Sequence, residues 1–285
     1  MRKLFVVGIL GLFTCHFGLS IDGVIAASPA PAVAVERTVA VSDTWLLHLP
    51  GIAGRRWVDD QMMLGFKDAG VAGVCDVYDW TGEDPGIAAL HAYKRNQEQA
   101  QIVADLIADH FHRHPDLHIL LSGHSGGTGI AVWALEKLPA DVKIDKLLLM
   151  ASALSPGYDL SKALAHVRNK CYSFCSENDV MVLDIGTRMF GTIDGKKTEA
   201  AGAFGFLFPA GADSRQYDKL IQKPYDKVWL RYRNFGDHMG CMLRPFARDI
   251  VAPLMLDHPA LSALEKATHA AGQSQAANSV HAPRS

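Results

Sequence analysis

The sequence carries no surplus of positive charge. Lys and Arg number 28 against 30 Asp and Glu, for a formal net charge of -2. A nucleic-acid-binding chain is normally marked by a basic excess, so no nucleic-acid partner is expected. Long apolar runs are also missing. The N-terminal run Leu4 to Phe13 falls well short of the roughly 20 residues that a membrane span needs, so no stable span is expected. Cysteine is scarce, with five in the chain. Cys171 and Cys175 share a strand-like stretch. At about 3.3 Å per residue they stand about 13 Å apart, too far for a disulfide. Cys175 could pair with Cys241 if their strands are neighbours; buried free thiols are the alternative. No segment repeats another.

What is present is apolar residue in quantity, 49% of 285 positions, enough for a sizeable core. Arg2 and Lys3 precede the short apolar run, and "VIAAS" (24–28) offers small residues for cleavage near Ala26 or Ala27. That is the pattern of a signal peptide over 1–27. It predicts an exported protein, periplasmic or secreted, with an uncleaved N-terminal membrane anchor as the alternative. A Pro/Ala-rich linker follows over 28–41. The domain is expected over 42–258, with 184–225 as a possible cap or flap insertion. A C-terminal helix end and disordered tail occupy 259–285.

Within 42–258, strand-like and helix-like segments alternate. "TWLLHL" (44–49), "GVCDVYDW" (73–80), "LHILLSG" (117–123), "IDKLLLMAS" (144–152), "KCYSFCS" (170–176) and "KVWLRYRNF" (227–235) read as six strands. Helices are expected after the first strand, from a cap at Asn96, over about 126–138, and over 246–256. This alternation predicts an α/β fold, a mostly parallel sheet of about six strands with helices on both faces. Ligands in such sheets bind beyond the carboxyl ends of the strands. The residues just after each strand are therefore the informative ones.

After the third strand comes Gly123-His124-Ser125-Gly126-Gly127, a G-x-S-x-G sequence between a strand and a helix. A serine on so sharp a turn needs small neighbours, and its hydroxyl projects free of the sheet. The N–H of Gly126 opens the helix, where unpaired donors favour an anion. A serine nucleophile needs a base, usually a histidine oriented by a carboxylate. His238 lies in "NFGDHMG", past the sixth strand. Asp179 lies in "SENDVMVL", past the fifth. Glu177, Asp184 and Asp159 are weaker candidates for the acid, and Asp237 sits too close in sequence to reach round to the ring. A second oxyanion donor is expected from "HLPGIAG" (48–54) after the first strand, with Ile52 N–H preferred over Ala53 and Gly51 allowing close approach of substrate.

Nucleophile, acid and histidine thus come in the order Ser125, Asp179, His238, each after its own strand. This resembles the α/β-hydrolase superfamily over about 42–258. Pro50-Gly51 stands where many lipases and esterases have His-Gly, and His48 lies two residues earlier. The resemblance implies hydrolysis of a carboxylic ester or related acyl bond through an acyl-enzyme, with no metal and no organic cofactor. Its substrate would be a small-molecule or lipid-like acyl compound. Peptidase, thioesterase, perhydrolase and acyltransferase chemistry use the same parts. A non-catalytic binding protein on a hydrolase scaffold is the alternative of a different kind.

Further candidates for substrate contact are His124 beside the nucleophile, Trp80 at the end of the second strand, and Phe204 and Phe206. The last two lie in the apolar "AAGAFGFLFPAG" (200–211), readable as a flap. "DHFHRHPDLH" holds four histidines, but only His110 and His114 share a helix face. It also precedes a strand, at the wrong end of the sheet, so no metal site is expected there. Export of the full chain should yield a mature N-terminus at Ala27 or Ser28, read by N-terminal sequencing. A membrane-bound product that keeps Met1 would identify the anchor instead.

Overall fold

A computed structural model describes residues 44–71, 73–179 and 191–256. The expected signal peptide, linker and C-terminal tail, and the first part of the expected flap, lie outside these residues. One sheet forms the centre. Its strands are β1 (Thr44–Leu49), β2 (Val74–Val77), β3 (His118–His124), β4 (Lys146–Met150), β5 (Cys171–Cys175) and β6 (Leu220–Pro224). They lie in the order β2-β1-β3-β4-β5-β6 and every pair is parallel. The chain leaves β1 for one side and returns to pair β3 on the other. That reversal opens a crevice at the carboxyl ends of β1 and β3, the usual ligand position in an open α/β sheet.

Side chains alternate across the strands and sort into two cores. Trp45, Leu47 and Leu49 of β1 and Ile119 and Leu121 of β3 face one way. They pack on α3 (Tyr93–Arg113), through Ala100, Val103, Ala104 and Ile107, and on α4 (Gly127–Lys137). Leu46, Leu120, Leu148 and Phe174 face the other way, onto α1 (Trp57–Asp68), where Val58, Met62 and Phe66 recur every fourth residue. A closing helical stretch, Arg244–Phe246, a π turn at Ala247–Val251 and Ala252–Met255, completes that face. Pro253 lacks the N–H that would continue a regular α ladder, which fits the π turn just before it. Both faces of the central strands are covered. Hence β3, β4 and β5 read as near-continuous apolar runs.

Two expected elements differ. The helix expected to start at Asn96 consists of α2 (Ile87–His91) and then α3. Asn96 is buried inside α3 and donates its side-chain N–H to the Ala89 carbonyl, 2.8 Å away. The sixth strand is not at 227–235. Asp226 accepts from Val228 N–H and starts a 3-10 helix over Lys227–Tyr232, which Arg233 ends in the left-handed conformation. The strand precedes it, at Leu220–Pro224. This is an edge strand with only Leu220 and Ile221 as large apolar residues, so its hydrophobic signal is weak. Trp229 and Tyr232 pack against the α1-side core instead of pairing in the sheet.

The histidine-rich end of α3 is explained by packing. His110 stacks on Trp45 with ring centroids 3.8 Å apart, and its Nδ1 bonds the Leu106 carbonyl at 2.9 Å. Truncating the fully buried Phe66 to alanine should cost about 3–5 kcal/mol. The same change at exposed Val74 on the edge strand should cost under about 0.5 kcal/mol. Urea denaturation of both variants checks the contrast.

Candidate active site

Ser125 occupies the two-residue gap between β3 and α4. Its φ is 51°, a left-handed conformation that costs a non-glycine residue about 1–3 kcal/mol. Hydrogen bonds on both sides hold it there. Its N–H donates to the Met150 carbonyl at 2.9 Å, at the end of β4. Its carbonyl accepts from Thr128 Oγ1 at 2.6 Å and from the amides of Thr128 and Ala153. The glycines beside it make room for backbone. A Cβ on Gly127 would overlap the Leu49 and Pro50 carbonyls of the chain leaving β1. The nucleophile turn and the β1 exit therefore touch main chain to main chain.

That contact brings the loop after β1 to the serine. A Cβ on Gly51 would stand 3.3 Å from Ser125 Cβ. One on Gly126 would stand 2.5 Å from Ile52 Cγ2 and 3.5 Å from Ile52 N. Gly54 N–H donates to the Gly51 carbonyl at 3.0 Å. No peptide in the described chain is cis, so Ile52 N–H points opposite to that carbonyl. It lies near Gly126 at the start of α4.

Several groups hold this loop, and of them the sequence singled out only Trp80, for a different role. Trp80 Nε1–H donates to the Pro50 carbonyl at 2.7 Å, and Gly86 N–H to the Ile52 carbonyl at 2.5 Å. The Asp79 carboxylate accepts from Arg55 N–H at 2.8 Å and from both the amide and the hydroxyl of Thr81. Burial would raise the Asp79 pKa, but these three donors outweigh it and hold the carboxyl below its ordinary range. Asp79 ends the β2 segment. An acid just past a strand was the available signal. Trp80, expected to line a substrate pocket, is 1% exposed and supports the loop from beneath.

The structure brings Asp179 and His238 together. Asp179 lies in the turn after β5, its N–H on the Ser176 carbonyl at 3.1 Å. His238 lies between the 3-10 helices Lys227–Tyr232 and Gly240–Met242. Its Nδ1 is 2.6 Å from Asp179 Oδ2, and both side chains are buried. A carboxylate only accepts, so Nδ1 carries the proton and Nε2 is left as a base. Burial pushes the Asp179 carboxyl above its ordinary pKa, against the pull of His238. The other acids stand elsewhere: Glu177 is exposed, and Asp159 caps Ser161 N–H at 2.9 Å. Asp184 lies outside the described residues.

Two expected substrate contacts, His124 and Phe206, are placed differently. His124 is buried under the serine, and its Nε2–H donates to the His238 carbonyl at 2.9 Å. Strand alternation turns its side chain to the α1 side. Burial and the nearby His238 ring pull its pKa down to about 3, so it is neutral. It ties the base to the nucleophile turn. Phe206 is in the main core, its main chain bonded on both sides by the Gln222 amide. Phe204 is 54% exposed. The described part of the expected flap is strapped down: Ala201 and Gly202 amides donate to the Leu154 and Ser152 carbonyls at 2.8 Å each. Leu207 and Phe208, later in the same stretch, are exposed. The described cysteines are free thiols, and Cys175 and Cys241 line one small cavity behind Asp179. Gly127→Ala should destabilise the fold by about 2–4 kcal/mol, because main chain cannot yield as a flexible side chain can. Thermal and chemical denaturation measure this.

No family model matches the chain, and no curated protein matches it. Solved structures do. A predicted CIB-like hydrolase from Thermoplasma acidophilum is 14% identical, with 76% of this chain and 88% of that one covered, at a TM-score of 0.41. A lipase-esterase related protein from Clostridium acetobutylicum is 11% identical, covering 76% and 95%, at 0.43. The NocB thioesterase domain from the nocardicin cluster is 14% identical, covering 74% and 94%, at 0.40. On its own topology, with six parallel strands in the order β2-β1-β3-β4-β5-β6 and a serine on the left-handed turn between β3 and α4, the chain has the α/β-hydrolase fold.

Proposed function

We propose that this protein is a serine hydrolase that cleaves a carboxylic ester or related acyl bond through an acyl-enzyme. The observation that carries the reading is the 2.6 Å bond from His238 Nδ1 to Asp179, in a loop tied by His124 to the turn that holds Ser125. In this reading His238 Nε2 takes the Ser125 proton as Oγ attacks the acyl carbon. The N–H groups of Ile52 and Gly126 receive the oxyanion. Collapse breaks the bond to the leaving alcohol, which takes the proton from His238. Water then repeats the cycle on the acyl-enzyme and releases the acid. The imidazolium forms next to an ionised Asp179, which stabilises it. The exposed side chains of Phe204, Leu207 and Phe208 favour a lipid-like acyl group. Export, proposed from the N-terminal sequence, would place this activity outside the cytoplasm.

A fluorophosphonate probe should label the wild-type protein at Ser125, and Ser125→Ala should remove both labelling and hydrolysis of p-nitrophenyl esters. Absence of wild-type labelling in folded protein would sink the reading. Asp179→Asn should lower kcat by about 10⁴-fold, through the wrong imidazole tautomer. Its effect on stability has the opposite sign. The folded pKa of Asp179 is raised, so the group favours folding below the unfolded carboxylate pKa and loses that contribution as pH rises through the folded value. The ionised acid therefore costs stability at neutral pH. Asp179→Asn should melt at or above the wild-type Tm at pH 7, an advantage that fades in acid.

A further inference from the structure

Below the site lies a second serine, histidine and aspartate, in hydrogen-bonded order. His48 Nε2 is 2.9 Å from Asp59 Oδ1, and His48 Nδ1 is 2.8 Å from Ser122 Oγ. Asp59 only accepts, so His48 carries its proton on Nε2 and Nδ1 accepts from the Ser122 hydroxyl. The other Asp59 oxygen accepts from Arg56 N–H at 2.6 Å. Exposures are 0% for His48, 1% for Asp59 and 0% for Ser122. No substrate reaches this trio, so it is not a second catalytic centre. Nor does filling space explain it. Leu46 and Leu120 on the same face of β1 and β3 are apolar, and apolar side chains of similar volume are commonly as stabilising as a buried ion pair.

The chain positions of the pair suggest its role. β1 ends at Leu49 and α1 begins at Trp57, so the loop carrying Ile52 spans 50–56. His48 is the last residue but one before that loop, and Asp59 lies in the first turn of the helix after it. Their bond closes the loop at its base. Trp80, Asp79 and Gly86 hold its other side. With both sides fixed, the peptide of Ile52 has one orientation. We infer that the His48–Asp59 pair is a positioning unit for the oxyanion hole, set by Ser122 in β3 and acting through loop 50–56. The inference rests on the serine-hydrolase reading above. Oxyanion donors must stand about 2.7–3.1 Å from the developing charge. A shift of about 1 Å can cost about 100-fold in rate.

The test compares wild type, His48→Leu, Asp59→Leu and the double variant. Each is measured for Tm, for kcat and KM on a p-nitrophenyl ester, and for amide hydrogen exchange of loop 50–56. The double variant leaves no unpaired ion, but it strips the Ser122 hydroxyl and the Arg56 N–H of their partners, so it should fold with a Tm roughly a few degrees below wild type. It should still lose about 10- to 100-fold in kcat, with KM within about twofold, and loop 50–56 should exchange about tenfold faster. Wild-type kcat and loop protection in the folded double variant would overturn the inference, as would faster exchange spread over the whole sheet. If the double variant does not fold, His48→Gln, which keeps a side-chain donor, is read by the same three measurements. Failure of the parent reading looks different: wild type itself is neither labelled by fluorophosphonate nor active. The inference then falls with that reading, whereas a labelled, active wild type with unchanged loop protection in the double variant overturns the inference alone.

Discussion

Two stretches of main chain meet where β1 ends and α4 begins, and the site is built around that contact. The Leu49 and Pro50 carbonyls lie so close to Gly127 that no side chain fits between them. The approach sets the distance from the nucleophile to the loop that bears Ile52. It also fixes the start of α4, and with it the N–H of Gly126. Backbone atoms have no rotamers to adjust, so a contact of this kind is a stiffer reference than a side-chain contact. The left-handed Ser125 is affordable because the end of β4, Ala153 just past it and α4 hold its amide and carbonyl at once.

Electrostatics add a second constraint. Three histidines lie close together under the mouth of the site: His48, His124 and His238. Burial keeps His124 neutral, with its proton committed to the His238 carbonyl. His48 is committed to Asp59 and Ser122. His124 is bonded through Nε2 and His48 through both ring nitrogens, and of the three only His238 stands beside Asp179. Each of the other two is fixed by a partner that matches its proton. The acids around the site differ in the same way. Asp59 and Asp79 are held low by donors, whereas Asp179 meets one imidazole and is pushed up by burial.

Much of this was legible in the sequence because it rests on local pattern. Apolar runs marked β1, β3, β4 and β5, and glycine spacing marked the nucleophile turn. Asp179 and Ile52 were picked by one rule, that chemistry sits after strands; the same rule picked His238 from a strand at 227–235 that is a 3-10 helix, with the strand itself at Leu220–Pro224. What was not legible depends on partners far away in the chain. β6 has too little apolar content to announce itself, while Lys227–Tyr232 alternates like a strand but is diverted by the Asp226 cap. Asn96 resembles a cap in sequence and is a buried helix residue in space. His124 looked like a pocket residue because it adjoins Ser125, yet strand alternation points it to the opposite face. Phe206 is apolar and loop-borne, but Gln222 recruits it into the core.

The bond from Asp179 to His238 joins residues 59 apart, and the one from His124 to His238 joins residues 114 apart. Neither can form until β6 has been added to the sheet edge and the 3-10 helix after it has turned the chain back. During synthesis, then, the serine emerges long before its base. If Ser125 is the nucleophile proposed above, a chain that stops short of His238 holds its hydroxyl without the proposed base. The order of residues along the chain would then withhold reactivity from every such shorter chain.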